Sequence, residues 1–97
     1  MNMQAMMQQA QKLQKDMLKS KKEIDEKSYE STKEFVTVVM KGTKEIESIN
    51  INADSLDKED IEALEDMLML AINENIKHID KDTENKMGKF GGMAGLL

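Results

Sequence analysis

The sequence predicts an α+β protomer in the order helix, three-stranded antiparallel meander, helix. Three observations carry this reading. Met3, Met6, Ala10, Leu13, Met17, Ser20 and Ile24 keep an unbroken alternation of three- and four-residue steps through the first third. From Tyr29 to Met40 the residues alternate in a strand-like pattern, and Ile46, Ile49 and Ile51 follow beyond Gly42. Beyond Asp57 the apolar residues return to helical spacing, but in a wider band. The first spacing marks a narrow coiled-coil seam, the second a pleated strand, and the third a helix that lies on a sheet.

The first helix is expected over residues 3 to about 26. No Gly or Pro interrupts this stretch, and Gln, Lys, Met, Leu and Ala all favour helix. Helical preference fades at Lys27-Ser28. A short strand is expected at 27–31, a polar turn at 31–33 and a stronger strand at 34–40. Val36, Val38 and Met40 would share one face of that strand, with Phe35, Thr37 and Val39 on the other. Lys41-Gly42-Thr43 reads as the next turn, with Gly42 supplying a positive φ. Ile46, Ile49 and Ile51 mark a third strand at about 45–51, followed by a loop to Ser55. The second helix is expected to start near Asp57. That residue is a good N-cap, and Glu59 and Asp60 complement the positive helix end. Ile61, Leu64, Leu68, Ala71, Ile72, Ile76 and Ile79 form its apolar stripe, widened by Met67, Met69 and Leu70. Residues 1–87 would make one domain. Residues 88–97 hold four of the five glycines and read as a flexible tail.

A chain of 97 residues is one domain at most. It buries only about 60 to 65% of its unfolded surface, so oligomerisation is the expected source of extra stability. Met3, Met6, Ala10, Leu13, Met17 and Ile24 are the expected dimer seam. The chain contains no Cys, which removes disulfides, thiolate metal sites and thiol nucleophiles and fits a reducing cytoplasm. No apolar run approaches the ~20 residues of a membrane span, and no signal peptide is legible.

The net charge is −5, yet its distribution is uneven. Segment 11–22 carries five lysines against Asp16, a local balance of +4. Segment 54–66 carries seven acidic residues against Lys58, a local balance of −6. Lys12, Lys15, Lys19 and Lys22 recur at i, i+3, i+7 and i+10, so their charges add on one side of the first helix, away from the seam. In a dimer two such stripes could straddle a duplex, each lysine displacing counterions from phosphate. All 14 basic residues are lysine, which disfavours bidentate reading of guanine.

Several other signals fail on inspection. Asn50-x-Asn52-x-Asp54 opens like a calcium loop, but Ser55 stands where glycine turns the chain and Ile61 where a bidentate Glu belongs. His78 is the single histidine and has no ligands or carboxylate placed around it by the sequence. Gly91-Gly92 lies in the tail, not between a strand and a helix, so no phosphate loop is present. No catalytic residue, metal ligand, cofactor or small-molecule substrate is expected, and the chain does not read as an enzyme.

The order and spacing of several segments resemble the YbaB/EbfC family of bacterial nucleoid-associated proteins. They are the opening Met6-Met7-Gln8-Gln9-Ala10-Gln11-Lys12-Leu13-Gln14, the segment Phe35-Val36-Thr37-Val38-Val39-Met40-Lys41-Gly42, and Ile49-Asn50-Ile51-Asn52 leading into Asp57-Lys58-Glu59-Asp60-Ile61-Glu62-Ala63-Leu64-Glu65-Asp66. Ala71, Asn73, Glu74 and the Gly/Met tail also match. The resemblance implies an intertwined, tweezer-like homodimer with projecting helices. It also implies binding of double-stranded DNA largely without sequence preference, and a role in nucleoid organisation or gene regulation in the cytoplasm. The expected contacts are Lys12, Lys15, Lys19 and Lys22, with Lys77, Lys81, Lys86 and Lys89 near the end of the second helix as a weaker addition. The chain departs from the family's usual pattern in having Ser31-Thr32-Lys33 where glycines are common, and in lacking Arg. Two further readings stay open. One is a protein-interaction or chaperone-like helical module without direct DNA contact. The other is an acidic dimer whose partners are proteins near DNA.

Overall fold

A computed structural model describes residues 2–91. Helix α1 spans Met3–Glu26, and its start is set by Asn2, whose side chain accepts a hydrogen bond from the Gln4 N–H at 3.0 Å. Lys27 turns extended and ends the helix, with its N–H donating to the Ile24 carbonyl at 3.1 Å. Strands β1 (Ser28–Lys33), β2 (Val36–Lys41) and β3 (Ile46–Ile51) follow, then helix α2 (Asp60–Met87). The sheet is an antiparallel meander in the order β1-β2-β3. The expected α+β order is therefore observed.

Three local details differ from expectation. The first turn lies at Glu34-Phe35, between the paired residues Lys33 and Val36, so β1 extends through Ser31-Thr32-Lys33. Cross-strand pairing to Val38, Thr37 and Val36 outweighs the turn preference of those polar side chains. Gly42 is not the left-handed residue of the second turn; Lys44 is, at φ 74°. Helix α2 begins three residues later than expected, at Asp60, with Glu59 as N-cap and no side-chain cap. Asp57 instead donates its N–H to the Asp60 carboxylate at 2.9 Å, in a turn that precedes the helix.

Val36, Val38 and Met40 are buried on one face of β2, as their alternation requires. Helix α2 and the turn after it run over that face of β1 and β2 and on to α1, in three successive contacts. Leu64, Met67, Leu68 and Ala71 meet Val36 and Val38. Ile72, Ile76 and Ile79 meet Tyr29 and Met40. Met87 and Phe90 meet Met17 and Ile24 of α1. Ile61, expected in the buried stripe, overhangs the core and is exposed.

Two expectations about the ends of the chain also change. Met17 and Ile24, placed by their spacing in an intermolecular seam, are 3% and 2% exposed within the single chain. Their partners come from the segment read as tail: residues 88–91 form a 3-10 turn that folds Phe90 back onto α1. The rest of that expected tail, 92–97, lies outside the described residues.

Candidate nucleic-acid interface

The root of α1 is anchored by Met17 and Ile24, but every described residue from Asn2 to Asp16 is exposed. Because α2 runs from the Val36 end of the sheet toward Met17, the first half of α1 extends beyond the end of α2. The result is an arm on an elongated body of 71 × 18 × 15 Å. Lys12, Lys15, Lys19 and Lys22 are all exposed and lie on the helix side opposite Met17 and Ile24. Lys22 faces Glu26 at 4.0 Å. Lys12, Lys15 and Lys19 have no ion-pair partner among the described residues.

The second lysine set is more dispersed. Lys77 and Lys81 are exposed, one turn apart, on the side of α2 turned away from the sheet. Lys86 is half-buried, and Lys89 sits over the Phe90 ring at 5.1 Å from its centroid. Packing of Met87 and Phe90 on α1 brings Lys86 and Lys89 near the root of the arm, while Lys77 and Lys81 remain over the sheet.

The carboxylates interleaved with these lysines are largely engaged elsewhere. Asp80 pairs with Lys44 of the second turn at 2.9 Å, and Glu74 with Lys33 of β1 at 3.1 Å. Asp82 accepts from the Tyr29 hydroxyl at 2.5 Å and from Lys27 Nζ at 3.0 Å. Those two donors hold the Asp82 carboxyl below its ordinary range, while burial beside Asp82 pushes the Tyr29 phenol up. Hydrogen bonding to Lys33 likewise lowers Glu74. Sequence reasoning missed this stitching of β1 to α2, because residues some fifty positions apart give no periodic signal.

It also missed Asn75, which lies wholly buried between the isoleucines of α2. Its Nδ2 donates to the Val38 carbonyl at 2.9 Å, and its Oδ1 accepts from Ser31 Oγ at 2.7 Å. Every buried side-chain polar atom among the described residues is satisfied. A polar residue inside an apolar helical stripe was the one available signal.

The acidic residues from Asp54 to Asp66 cluster at the start of α2, the end remote from the arm. Charge is thus separated along the long axis. His78 is exposed, and no group of His, Cys, Asp or Glu among the described residues could hold a metal ion. The cleft lined by Lys21, Ile24, Gly42, Lys44 and Met87 holds about 200 Å³, below the usual range of ligand pockets. No described helix is long and apolar enough to cross a membrane.

An elongated α+β chain with a basic helical arm presents an extended surface for contact. The sequence profile of the YbaB/EbfC DNA-binding family matches residues 1–94, and the chain belongs to that family. It is 48% identical over 92 residues to a "Nucleoid-associated protein" of Lactococcus lactis subsp. cremoris (strain MG1363), covering 93% of each chain. It is 43% identical over 94 residues to a protein of the same description in Streptococcus pneumoniae (strain Hungary19A-6), covering 95% of each. A third so described, in Enterococcus faecalis (strain ATCC 700802 / V583), is 38% identical over 98 residues, covering 98% of this chain and 94% of the relative.

Proposed function

We propose that the protein is a homodimer that binds duplex DNA through the lysines of its projecting arms, largely without sequence preference. Its role would be in nucleoid organisation or gene regulation in the cytoplasm, without enzymatic activity. The observation that carries this reading is the stripe Lys12, Lys15 and Lys19, exposed and without ion-pair partners among the described residues, running along the arm and onto its root. Lysines so placed neutralise phosphates and position the protein; they do not read bases.

Two features support a second copy. An unsupported helix of this length is marginal in water, yet the arm carries the open seam residues Met3, Met6, Ala10 and Leu13. In addition, Ile49 and Ile51 pair with Val38 and Val36, so they continue the buried face of β2 beyond the cover of α2. Neighbouring Ile46, Ile49 and Ile51 are 42%, 46% and 38% exposed. A second copy seated there would complete the core of both protomers.

Reversing Lys12, Lys15, Lys19 and Lys22 to Glu is expected to abolish gel shifts of duplex DNA while the solution mass stays that of a dimer. Retained binding would remove the proposal. Wild-type affinity should fall steeply with salt, by a slope of about 0.9 per phosphate neutralised. The exposed Met3, Met6 and Met7 favour a second reading, a protein-interaction or chaperone-like module. Client binding through methionine would not share that steep salt dependence.

A further inference from the structure

We propose that Gln4, Gln8 and Gln11, at the tip of the arm, read base edges in the major groove and bias the DNA contact toward A·T pairs. The inference rests on the DNA contact proposed above and deepens it. The three precede Lys15, Lys19 and Lys22 in one series of three- and four-residue steps, with Lys12 one turn beyond Gln8. They therefore continue the lysine stripe toward the free end of α1, on the side opposite the seam. All three are exposed, and their side-chain amides make no hydrogen bond among the described residues.

Composition sets this end of the helix apart. All five glutamines of the chain, Gln4, Gln8, Gln9, Gln11 and Gln14, fall on the arm. Lys12 is the first ionisable side chain of a sequence that is 34% charged. The first turn of α1 has no acidic residue, although carboxylates favour that end of a helix and the chain contains 19 of them. A tip without carboxylates meets no repulsion from phosphate, and neutral amides lose less than charged groups on leaving water for a groove. Helix propensity does not account for the choice, since Lys and Glu are about as good as Gln. Solvation does not either, because the exposed side of α2 carries Glu62, Asp66, Lys77, Lys81 and Glu84.

The side-chain chemistry selects the base pair. A glutamine amide offers a donor and an acceptor together, matching adenine N7 and N6 in the major groove. The guanidinium fork that reads guanine is absent from this chain. Gln4 to Gln11 spans about 10 Å of helix, or about three base-pair steps, and the major groove admits a helix. The lysines nearer the root hold the flanking phosphates and fix the orientation. They carry no sequence information, so the bias belongs to the amides.

The test titrates the intact chain by fluorescence anisotropy against an alternating A·T duplex and an alternating G·C duplex of equal length, at one salt concentration. The A·T duplex is expected to bind at least about fivefold more tightly, the lower end for one bidentate pair. Replacing adenine by 7-deazaadenine, which removes the N7 acceptor and leaves the minor groove intact, should cancel that preference. The Q4A/Q8A/Q11A variant should keep its helical circular dichroism and its salt slope, and bind the two duplexes alike. The Q9A/Q14A variant, whose changes lie off the stripe, should keep the preference. Equal binding of both duplexes by the wild type would overturn the inference and leave the lysine contact standing. So would a preference that survives in the triple variant or on 7-deazaadenine, or that vanishes in Q9A/Q14A. Failure of the wild type to bind either duplex would remove the DNA contact and this inference together.

Discussion

Gly42 shows how one residue can be recognised for the wrong reason. Its position between two apolar alternations marks a turn, and a turn is there. Yet the left-handed conformation belongs to Lys44, and what Gly42 provides is the absence of a side chain. A Cβ at this position would run into the Ile24 carbonyl of α1. The Gly42 N–H also donates to the Lys27 carbonyl at 3.0 Å, clamping the end of α1 to the second turn. G42A is therefore expected to lose about 1–3 kcal/mol in urea unfolding, the usual scale for forced overpacking. A loss no larger than that of an ordinary surface change would mean that the clamp yields freely. Asp82 makes a second case at this scale. Its folded pKa lies below its unfolded value of about 3.9. The stability it contributes is thus present above that pH and lost as pH falls through it toward the lowered folded value. The urea midpoint of wild type should exceed that of D82N at pH 6, and the gap should close below about pH 4. A gap constant down to pH 3 would assign the effect to shape, not charge.

At the scale of elements, α1 is two structures in one helix. Its heptad rhythm is continuous from Met3 to Ile24, but the chain uses the two ends differently. Met17 and Ile24 pack on Met87 and Phe90, whereas Met3, Met6 and Leu13 stay exposed. Periodicity reports which side of a helix is apolar; it does not say whether the apolar partner is the same chain or another. The strands follow the same logic. The alternation of β2 identified its buried face correctly, because Val36, Val38 and Met40 lie under α2. The isoleucines of β3 lie opposite Val36, Val38 and Met40, Ile46 by way of a register shift, and face the same way, but the helix does not reach them. In the first hairpin, the turn sits at Glu34-Phe35 with Glu34 held at φ 51°, although neither residue is a turn former. Strand register, set by the burial of Val36 and Val38, decided that turn.

For the whole molecule, the separation of charge along a 71 Å axis orients any encounter with a polyanion. The arm and its root carry Lys12, Lys15 and Lys19, and the far end carries Asp57, Asp60, Glu62 and Glu65. A phosphate backbone approaches such a body arm first, even though the net charge is −5. The open face of β3 bears on assembly. If a second copy covers it, I49D should shift the solution mass from dimer to monomer while leaving the protomer's helices intact by circular dichroism, since Ile49 supports no described core cluster. An unchanged dimer would move the interface to the arm seam.

Local rules were enough for the order of elements, the buried face of β2, the basic stripe of α1 and the acidic start of α2. Each of these depends on residues a few positions apart, whose relation a helix or strand repeats. The lysine stripe in particular follows from helical geometry alone. Tertiary structure decided which apolar residues were used up inside the single chain. It also decided that Phe90 returns to α1, that Asn75 locks α2 onto Val38, and that Tyr29, Lys27 and Asp82 meet. Those contacts join segments far apart in the chain, and they depend on how far one helix reaches across one sheet, a distance that no local spacing encodes.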